Sequence, residues 1–221
     1  MKRLLHYSDI DSAKWITVRR KDKDNITYQE ASAKLGNELF IKPVNLGSSV
    51  GITFVREASQ FRAAIDTAFE YDNKVIIEER IKGREIECAV LGNNDPQASV
   101  PGEVIPKGGF YSFESKYIDE SGAALQAPAD LTADEVLRVQ ELAKETFICL
   151  ECQGLSRVDM FLTQEGRLLI NEINTLPGFT NVSMYPTLWE LSGVSQQELT
   201  NRLIQLAIEA HKSISALKQV M

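Results

Sequence analysis

The sequence is poor in the features that would place it in a membrane, on nucleic acid or in an oxidising compartment. No apolar run approaches the ~20 residues needed to span a bilayer. Met1–Lys14 contains no continuous apolar stretch of the kind a signal peptide carries, so none is expected. A formal net charge of −7 argues against nonspecific nucleic-acid binding, which needs a basic face. It leaves room for a small anionic ligand, which needs only a few well-placed cations. Cysteine is scarce: Cys88, Cys149 and Cys152 in a chain of 221 residues fit a reducing compartment, and the cytoplasm is the expected location. Cys149 and Cys152 form a lone C-x-x-C, open to redox or metal chemistry. With no second pair and no nearby histidine, it reads instead as part of a buried helix end over Thr146-Phe-Ile-Cys-Leu.

Repeats and low-complexity tracts are also missing. Hydrophobic residues at 43% and charged residues at 25% describe a globular chain, long enough for one large domain or two small ones. Met1-Lys-Arg-Leu-Leu-His resembles the end of a helix. Trp15–Val18 is rich in strand formers, and Thr27-x-x-Glu30 is a capping box opening a helix that stops at Gly36. Leu39–Lys42 and Ile52–Val55 are apolar strands flanking Gly47-Ser-Ser-Val-Gly51. Phe61, Ala64, Ile65 and Ala68 mark one helical face. Lys74–Glu79 and Glu85–Leu91 are strands joined by a turn at Gly83. The polar stretch from Gly92 to about Asp130 is too long for an ordinary connection and is expected to be a functional loop. Thr132-x-x-Glu135 caps a helix reaching Cys149, and Arg157–Thr163 with Arg167–Ile173 forms a hairpin. Ser195-x-x-Glu198 opens a last helix. Strand hairpins interspersed with helices predict an α+β fold with largely antiparallel sheets.

Gly47-Ser48-Ser49-Val50-Gly51 matches G-x-S-x-G, which would make Ser49 a hydrolase nucleophile. That motif needs strand, turn and helix, whereas another strand, Ile52-Thr-Phe-Val, follows, and the only downstream histidine is His211. No Gly-Lys-Ser/Thr follows to make a Walker A loop, and the spacing is not G-x-G-x-x-G. A plain flexible turn is the bland alternative. Lys42, ending a strand that should be buried, favours a phosphate-covering flap, because a buried lysine needs an anionic partner or a site to line. Glu78, Glu79 and Glu85 lie at strand ends, where acids are commonly just solvated; their functional reading is hydrogen bonding to adenine and ribose.

The hairpin Arg157–Asn174 is the strongest constellation. Turn geometry places Asp159 roughly opposite Glu172, with Glu172 and Asn174 on one strand face and Arg157 directed to the same side. Apolar neighbours predict a buried hairpin, in which two carboxylates are expensive without cations. Hard oxygen ligands suit Mg²⁺, which takes further ligands from water and nucleotide phosphates. A purely structural Arg–carboxylate cluster is the alternative.

Lys42-Pro-x-x-x-Gly-Ser-Ser-Val-Gly51, Gly83-Arg-Glu-Ile-Glu87, Phe110-Tyr-Ser-Phe-Glu-Ser-Lys-Tyr117, Arg157-Val-Asp159 and Asn171-Glu-Ile-Asn-Thr-Leu-Pro-Gly-Phe-Thr180 together resemble bacterial D-alanine–D-alanine ligases, in order and at that family's spacing. The resemblance covers nearly the whole chain. It implies an ATP-grasp fold, with two α+β subdomains clasping the nucleotide. Residues 1–14 would be a helix and linker remnant of a preceding domain, 15–91 the small subdomain with the glycine flap, and 92–221 the large subdomain with lid loop and metal site. The implied activity is ATP-dependent ligation of two D-alanines through an acyl phosphate, for peptidoglycan synthesis.

The resemblance also implies roles. Lys42 and Ser49 would meet the phosphates, Glu78 adenine with backbone groups of Glu79 and Ile81, and Glu85 the ribose. Asp159, Glu172 and Asn174 would bind a pair of Mg²⁺ ions, or Mn²⁺ in their place. Arg157 and the Gly178 amide would stabilise the tetrahedral intermediate. Lys116, Ser183 and Met184 would hold the second D-alanine, and Ser48 and Tyr117 would link flap and lid. Ser112 and Phe113 depart from the family's usual Asp and Tyr, so lid contacts are expected to differ. The family's N-terminal domain, with a glutamate for the first substrate's amine, is not in these 221 residues. The expectation is therefore Mg-ATP binding with little dipeptide synthesis, and exposed apolar surface that favours self-association, a homodimer included. A nucleotide-binding module without ligase activity and a D-alanine–D-lactate ligase are the alternatives.

Overall fold

Reciprocal capping starts a helix in each half of the chain. Thr27 Oγ1 accepts from Glu30 N while the Glu30 carboxylate accepts from Thr27 N at 3.0 Å. Thr132 and Glu135 repeat the arrangement at 2.8 Å. Each pair satisfies amides that the first helical turn leaves without partners. The computed structural model describes residues 1–47, 49–106, 123–180 and 182–217. Its elements are α1 (Lys2–Tyr7), β1 (Trp15–Arg19), α2 (Tyr28–Leu35), β2 (Leu39–Pro43), β3 (Thr53–Val55), α3 (Ala58–Tyr71), β4 (Lys74–Glu79) and β5 (Gly83–Gly92). There follow β6 (Gln97–Ala98), β7 (Gly102–Pro106), β8 (Ala123–Gln126), α4 (Ala133–Cys149), β9 (Gly154–Thr163), β10 (Leu168–Asn174), α5 (Met184–Leu191) and α6 (Gln196–Ser215). The result is α+β with antiparallel sheets, as expected.

Contacts divide the chain into two units. The smaller is built on Ala13–Lys82, the larger on Met1–Ser12, Gly83–Ile105 and the described residues from Leu125 onward. In the smaller unit the sheet order is β1-β4-β2-β3, every pair antiparallel. Helix α3 lays Phe61, Ala64, Ile65 and Ala68 on a core with Leu39, Ile41 and Ile77. The helical spacing of the first set and the strand alternation of the second meet there, which is why both elements form.

In the larger unit the order is β10-β9-β5-β7-β8, with β6 beside β5. Helix α4 covers one face, packing Val139, Ala143 and Phe147 among Ile86, Val158 and Met160. Leu5 of α1 is fully buried in the same core, Ile170 N donates to Asp11 O at 2.8 Å, and Ser12 bridges Ile170. The unit boundary falls between Lys82 and Gly83, and the sequence-based one between Leu91 and Gly92. Strand β5 pairs with β9 from Gly83↔Thr163 to Gly92↔Gly154, which ties it to the larger sheet.

Two local expectations change. The stretch from Gly92 to Asp130 is not one loop, because β6, β7 and β8 lie within it. Residues 107–122 lie outside the described residues. Helix α5 had no sequence signal: it is short and carries Pro186 in its first turn. Proline is tolerated there because that amide has no intrahelical acceptor anyway. Met184, Tyr185, Leu188 and Trp189 are buried, so tertiary packing rather than periodicity stabilises this helix. Among the described residues, no helix is long and apolar enough to cross a membrane.

Candidate functional site

In the smaller unit, the β2–β4 register sets Phe40 opposite Glu78 and Lys42 opposite Ile76, so Lys42 and Glu78 share a sheet face. Lys42 Nζ lies 2.5 Å from Glu78 Oε2, and Glu78 is only 4% exposed. The anionic partner that a buried lysine requires is therefore Glu78 itself. Glu79 Oε1 accepts from Lys14 N at 2.7 Å and its amide donates to Lys14 O, so that amide is already committed. Ile81 lies just beyond β4 and is half-buried.

The glycine–serine segment joins β2 to β3. No helix follows it, which removes the nucleophile-elbow reading of Ser49. Ser49 and Gly51 have φ of 60° and 71°. A Cβ on Gly51 would also lie 2.8 Å from Tyr71 Cδ2 and 2.9 Å from Pro43 Cγ, so only glycine fits the turn. Asp72 Oδ2 anchors the segment's start, accepting from Val44 N at 3.0 Å and Asn45 N at 2.8 Å. Ser48 lies outside the described residues, as do Lys116 and Tyr117.

The larger unit brings its predicted residues together on one sheet face. Register pairs Glu172 with Asp159, Asp159 with Glu87, and Glu87 with Gly102, so carboxylates from three adjacent strands stand side by side. The neighbouring row is Asn174, Arg157 and Ala89. Glu85, opposite Phe161, lies on the same face of β5. Ile86, Cys88, Val158 and Met160 alternate onto the opposite face, under α4.

A bulge makes this row possible. Ile170 pairs with Met160 but Glu172 with Asp159, so Asn171 is the extra residue. Strict alternation would have set Glu172 opposite Val158, on the core side. The bulge instead turns Glu172 and Asn174 to the site and Ile173 to the core.

Arg157 holds the row together. Its Nε donates to Asp159 Oδ1 at 2.7 Å, its Nη2 donates to Oδ2 at 2.6 Å, and Nε lies 3.2 Å from Glu87 Oε2. Burial alone would push the guanidinium's pKa down. The hydrogen bond and charge of Asp159, with the charges of Glu87 and Glu172, outweigh burial and hold it above the ordinary value. Asp159 is buried but Glu172 is exposed, so the carboxylate end of the hairpin is more open than its apolar neighbours predicted. Among the described residues, no group of three or more His, Cys, Asp or Glu side chains is arranged to hold a metal on its own. A pair of carboxylates beside an amide does fit Mg²⁺, which commonly takes one or two protein carboxylates and completes its shell with water and phosphate.

Beyond β10, Asn174 Oδ1 accepts from Leu176 N at 3.2 Å. Ser183 Oγ accepts from Thr180 N at 3.0 Å, and a Cβ on Gly178 would meet that hydroxyl at 2.9 Å. The exposed Gly178 and half-buried Ser183 therefore share one tight loop. Met184 is buried, its sulfur against Gly102. Cys149 and Cys152 are free and half-buried, Cys149 Sγ meets Ser8 Oγ at 3.3 Å, and burial pushes the Cys88 thiol up to about 12.

Glu87 received no role from the sequence. The signal for it was present: Glu85-Ile86-Glu87-Cys88 alternates, so Glu87 had to share the face of Glu85. Arg84 and Glu103 form a second bidentate pair, Nε to Oε1 at 2.9 Å and Nη2 to Oε2 at 2.6 Å, which β5–β7 pairing alone would reveal.

Comparison with known proteins gives a consistent result. The family described as D-ala D-ala ligase C-terminus matches residues 4–205. The chain is 54% identical over 217 residues to a D-alanine–D-alanine ligase of Shouchella clausii, covering 98% of this chain and 59% of that protein. It is 50% identical over 220 residues to D-alanine–D-alanine ligase A of Escherichia coli, covering 100% of this chain and 60% of that one. The chain thus spans about 60% of the length of these relatives. Among solved structures, the D-alanine–D-alanine ligase of Coxiella burnetii superposes with a TM-score of 0.85 at 39% identity, over 97% of this chain and 57% of that one. The VanG D-Ala:D-Ser ligase of Enterococcus faecalis gives 0.84 at 38%, over 92% and 59%. With that fold and 202 of its residues matched (4 to 205 inclusive), the chain belongs to the D-alanine–D-alanine ligase C-terminal family, of ATP-grasp architecture.

Proposed function

We propose that this chain is the ATP-binding, catalytic part of a ligase that joins two D-alanines through an acyl phosphate, for peptidoglycan synthesis. The observation that carries the reading is the Glu172–Asp159 pairing, with Arg157 clasped on Asp159 and Asn174 in the neighbouring row of the same sheet face.

Asp159, Glu172 and Asn174 would hold Mg²⁺, which when bound supplies positive charge to the nucleotide's phosphates. Lys42 would release Glu78 to meet phosphate, and Glu78 and Glu85 would then recognise adenine and ribose. The backbone of Glu79 and Ile81 would flank the base, and Ser49 would bring its turn over the phosphates. Arg157 and the Gly178 amide would face the oxygen on which negative charge develops as the second amine attacks. Ser183, with Lys116 and Met184, would orient that second D-alanine, and Ser48 and Tyr117 would tie flap to lid. No side-chain nucleophile is needed, because positioning and charge neutralisation suffice for phosphoryl transfer followed by amine attack. Excluding water would protect the acyl phosphate.

Calorimetric titration of the purified chain with Mg-ATP, beside a D-alanine-dependent phosphate-release assay, tests this reading. Saturable Mg-ATP binding with D-alanine-stimulated phosphate release supports the ligase. Binding without release would favour a nucleotide-binding module, and no binding would reject the site altogether. D-Serine and D-lactate as second substrates, run in parallel, resolve the nucleophile, since a D-Ala:D-Ser ligase shares the fold.

A further inference from the structure

We propose that Glu87 is a positioning residue: it receives Arg157 when Asp159 turns from that guanidinium to a divalent metal. The inference rests on the metal reading of Asp159 and Glu172.

Both oxygens of Asp159 are engaged by Arg157, at 2.7 and 2.6 Å, in the fork geometry that makes Arg–carboxylate pairs strong. A divalent ion would bind the same oxygens at about 2.0–2.1 Å. The guanidinium and the ion would then share one carboxylate at close range, and like charges in so dry a place repel strongly. The carboxylate has lone pairs enough for both, so it is this repulsion, rather than a shortage of acceptors, that would loosen the fork. Arg157 cannot move far without an anion, because its side chain is only 18% exposed and a buried charge needs a partner.

Glu87 is placed to be that partner. Its Oε2 already lies 3.2 Å from Arg157 Nε, and its side chain is 13% exposed. It stands on the far side of Asp159 from Glu172, next in the same row. Gly102 ends the row, with Met184 and Leu188 of α5 packed where its side chain would be. The row therefore has an open end at exposed Glu172 and a closed end at Glu87. Metal would approach from the first, and Arg157 would lean toward the second, its remaining N–H groups still available to the oxygen it is proposed to face. In this scheme Arg157 occupies Asp159 in the metal-free protein, and Glu87 sets how readily it leaves.

Mn²⁺ binding in the presence of ATP, followed by the magnetic resonance signal of free Mn²⁺, tests this without any catalytic turnover. Glu87→Gln should weaken Mn²⁺ binding about tenfold when Arg157 is present, and less than about twofold in an Arg157→Gln background. Glu87→Asp keeps the charge but withdraws the carboxylate by one carbon–carbon bond, roughly 1.5 Å. It should reproduce most of the loss, and it carries the test if thermal melting shows Glu87→Gln to be unfolded. Equal losses in both backgrounds would mean that Glu87 acts only through its charge, and would overturn the proposal, as would full affinity in Glu87→Asp. If the wild-type chain binds no Mn²⁺ beyond what ATP itself binds, the metal reading fails first and this inference with it.

Discussion

Lys42 Nζ and Glu78 Oε2 meet at 2.5 Å across β2 and β4, so the side chain proposed for phosphate and the one proposed for adenine are joined to each other. On the proposed reading, nucleotide binding would loosen that pair, with Lys42 turning to phosphate and Glu78 to the base. Lys42→Ala should weaken ATP binding more than ADP binding, because a lysine freed from Glu78 senses terminal phosphate charge. It should also destabilise the protein, since Glu78 is almost fully buried. Removing one member of a buried pair costs about 3–5 kcal/mol, and the partial exposure of Lys42 places this case near the lower figure. Titration with both nucleotides and urea unfolding measure the two effects. Equal losses for ATP and ADP would move Lys42 away from the phosphates.

Glu172 and Asp159 are expected to separate binding from stability. Glu172 is exposed, so Glu172→Gln should change unfolding free energy by no more than about 1 kcal/mol, even though its charge contributes to holding Arg157. The same substitution should abolish Mg²⁺-dependent nucleotide turnover and sharply weaken Mn²⁺ binding. Asp159→Asn should damage both, because it also breaks the charge-assisted fork to Arg157. Unchanged Mg²⁺ dependence in Glu172→Gln would remove it from the metal site.

Asp72 gives the smaller unit an acid-sensitive fastening. Burial would raise its carboxyl pKa, but the amides of Asn45, Lys74, Asn73 and Val44 outweigh burial and hold it below the ordinary value of 3.8. A depressed carboxylate pKa contributes stability that is present above 3.8 and lost as pH falls through the folded-state value. Asp72→Ala should therefore cost about 1–3 kcal/mol at neutral pH and flatten the acid limb of the stability profile below about pH 4. A mutant profile parallel to wild type from pH 7 down to about pH 2 would show that the amides do not depend on its charge.

Gly51→Ala tests the flap turn directly. Positive φ and the close approach of Tyr71 and Pro43 predict a loss of about 1–3 kcal/mol, read by thermal melting. Nucleotide affinity should fall with it if this turn closes over phosphate. A stable mutant with weakened binding would assign Gly51 to the flap's movement rather than to its resting shape.

Much of this was legible in the residues. Thr27-x-x-Glu30 and Thr132-x-x-Glu135 announced their helices because a capping box is local chemistry, complete within four residues. Hairpin geometry brought Asp159 and Glu172 near each other, but their direct pairing depends on the bulge at Asn171, the residue that a regular register would set opposite Asp159. Helix α5 was hidden because tertiary burial of Tyr185 and Leu188, not periodicity, holds it. The strands inside the Gly92–Asp130 stretch were hidden for a related reason: Gly102-Glu-Val-Ile-Pro is short, and its alternation becomes visible only when β5 supplies the partner. Glu87 was in plain sight, but its importance depends on Arg157, seventy positions away in sequence (157 less 87) and 3.2 Å away in space.

The extra residue at Asn171 makes chain length, and not only residue identity, a determinant of the chemistry. One residue inserted beside Asn171, with the bulge unchanged, would leave every proposed ligand in the sequence while reversing which way those on β10 face: Glu172 and Asn174 toward the apolar side, with Ile173 turned toward the site. By this argument β10 should tolerate a changed side chain more readily than a gained position, because a one-residue shift turns every following side chain to the other face. Scans that allow only substitutions would miss that constraint, whereas single-codon insertions between Ile170 and Glu172 would expose it.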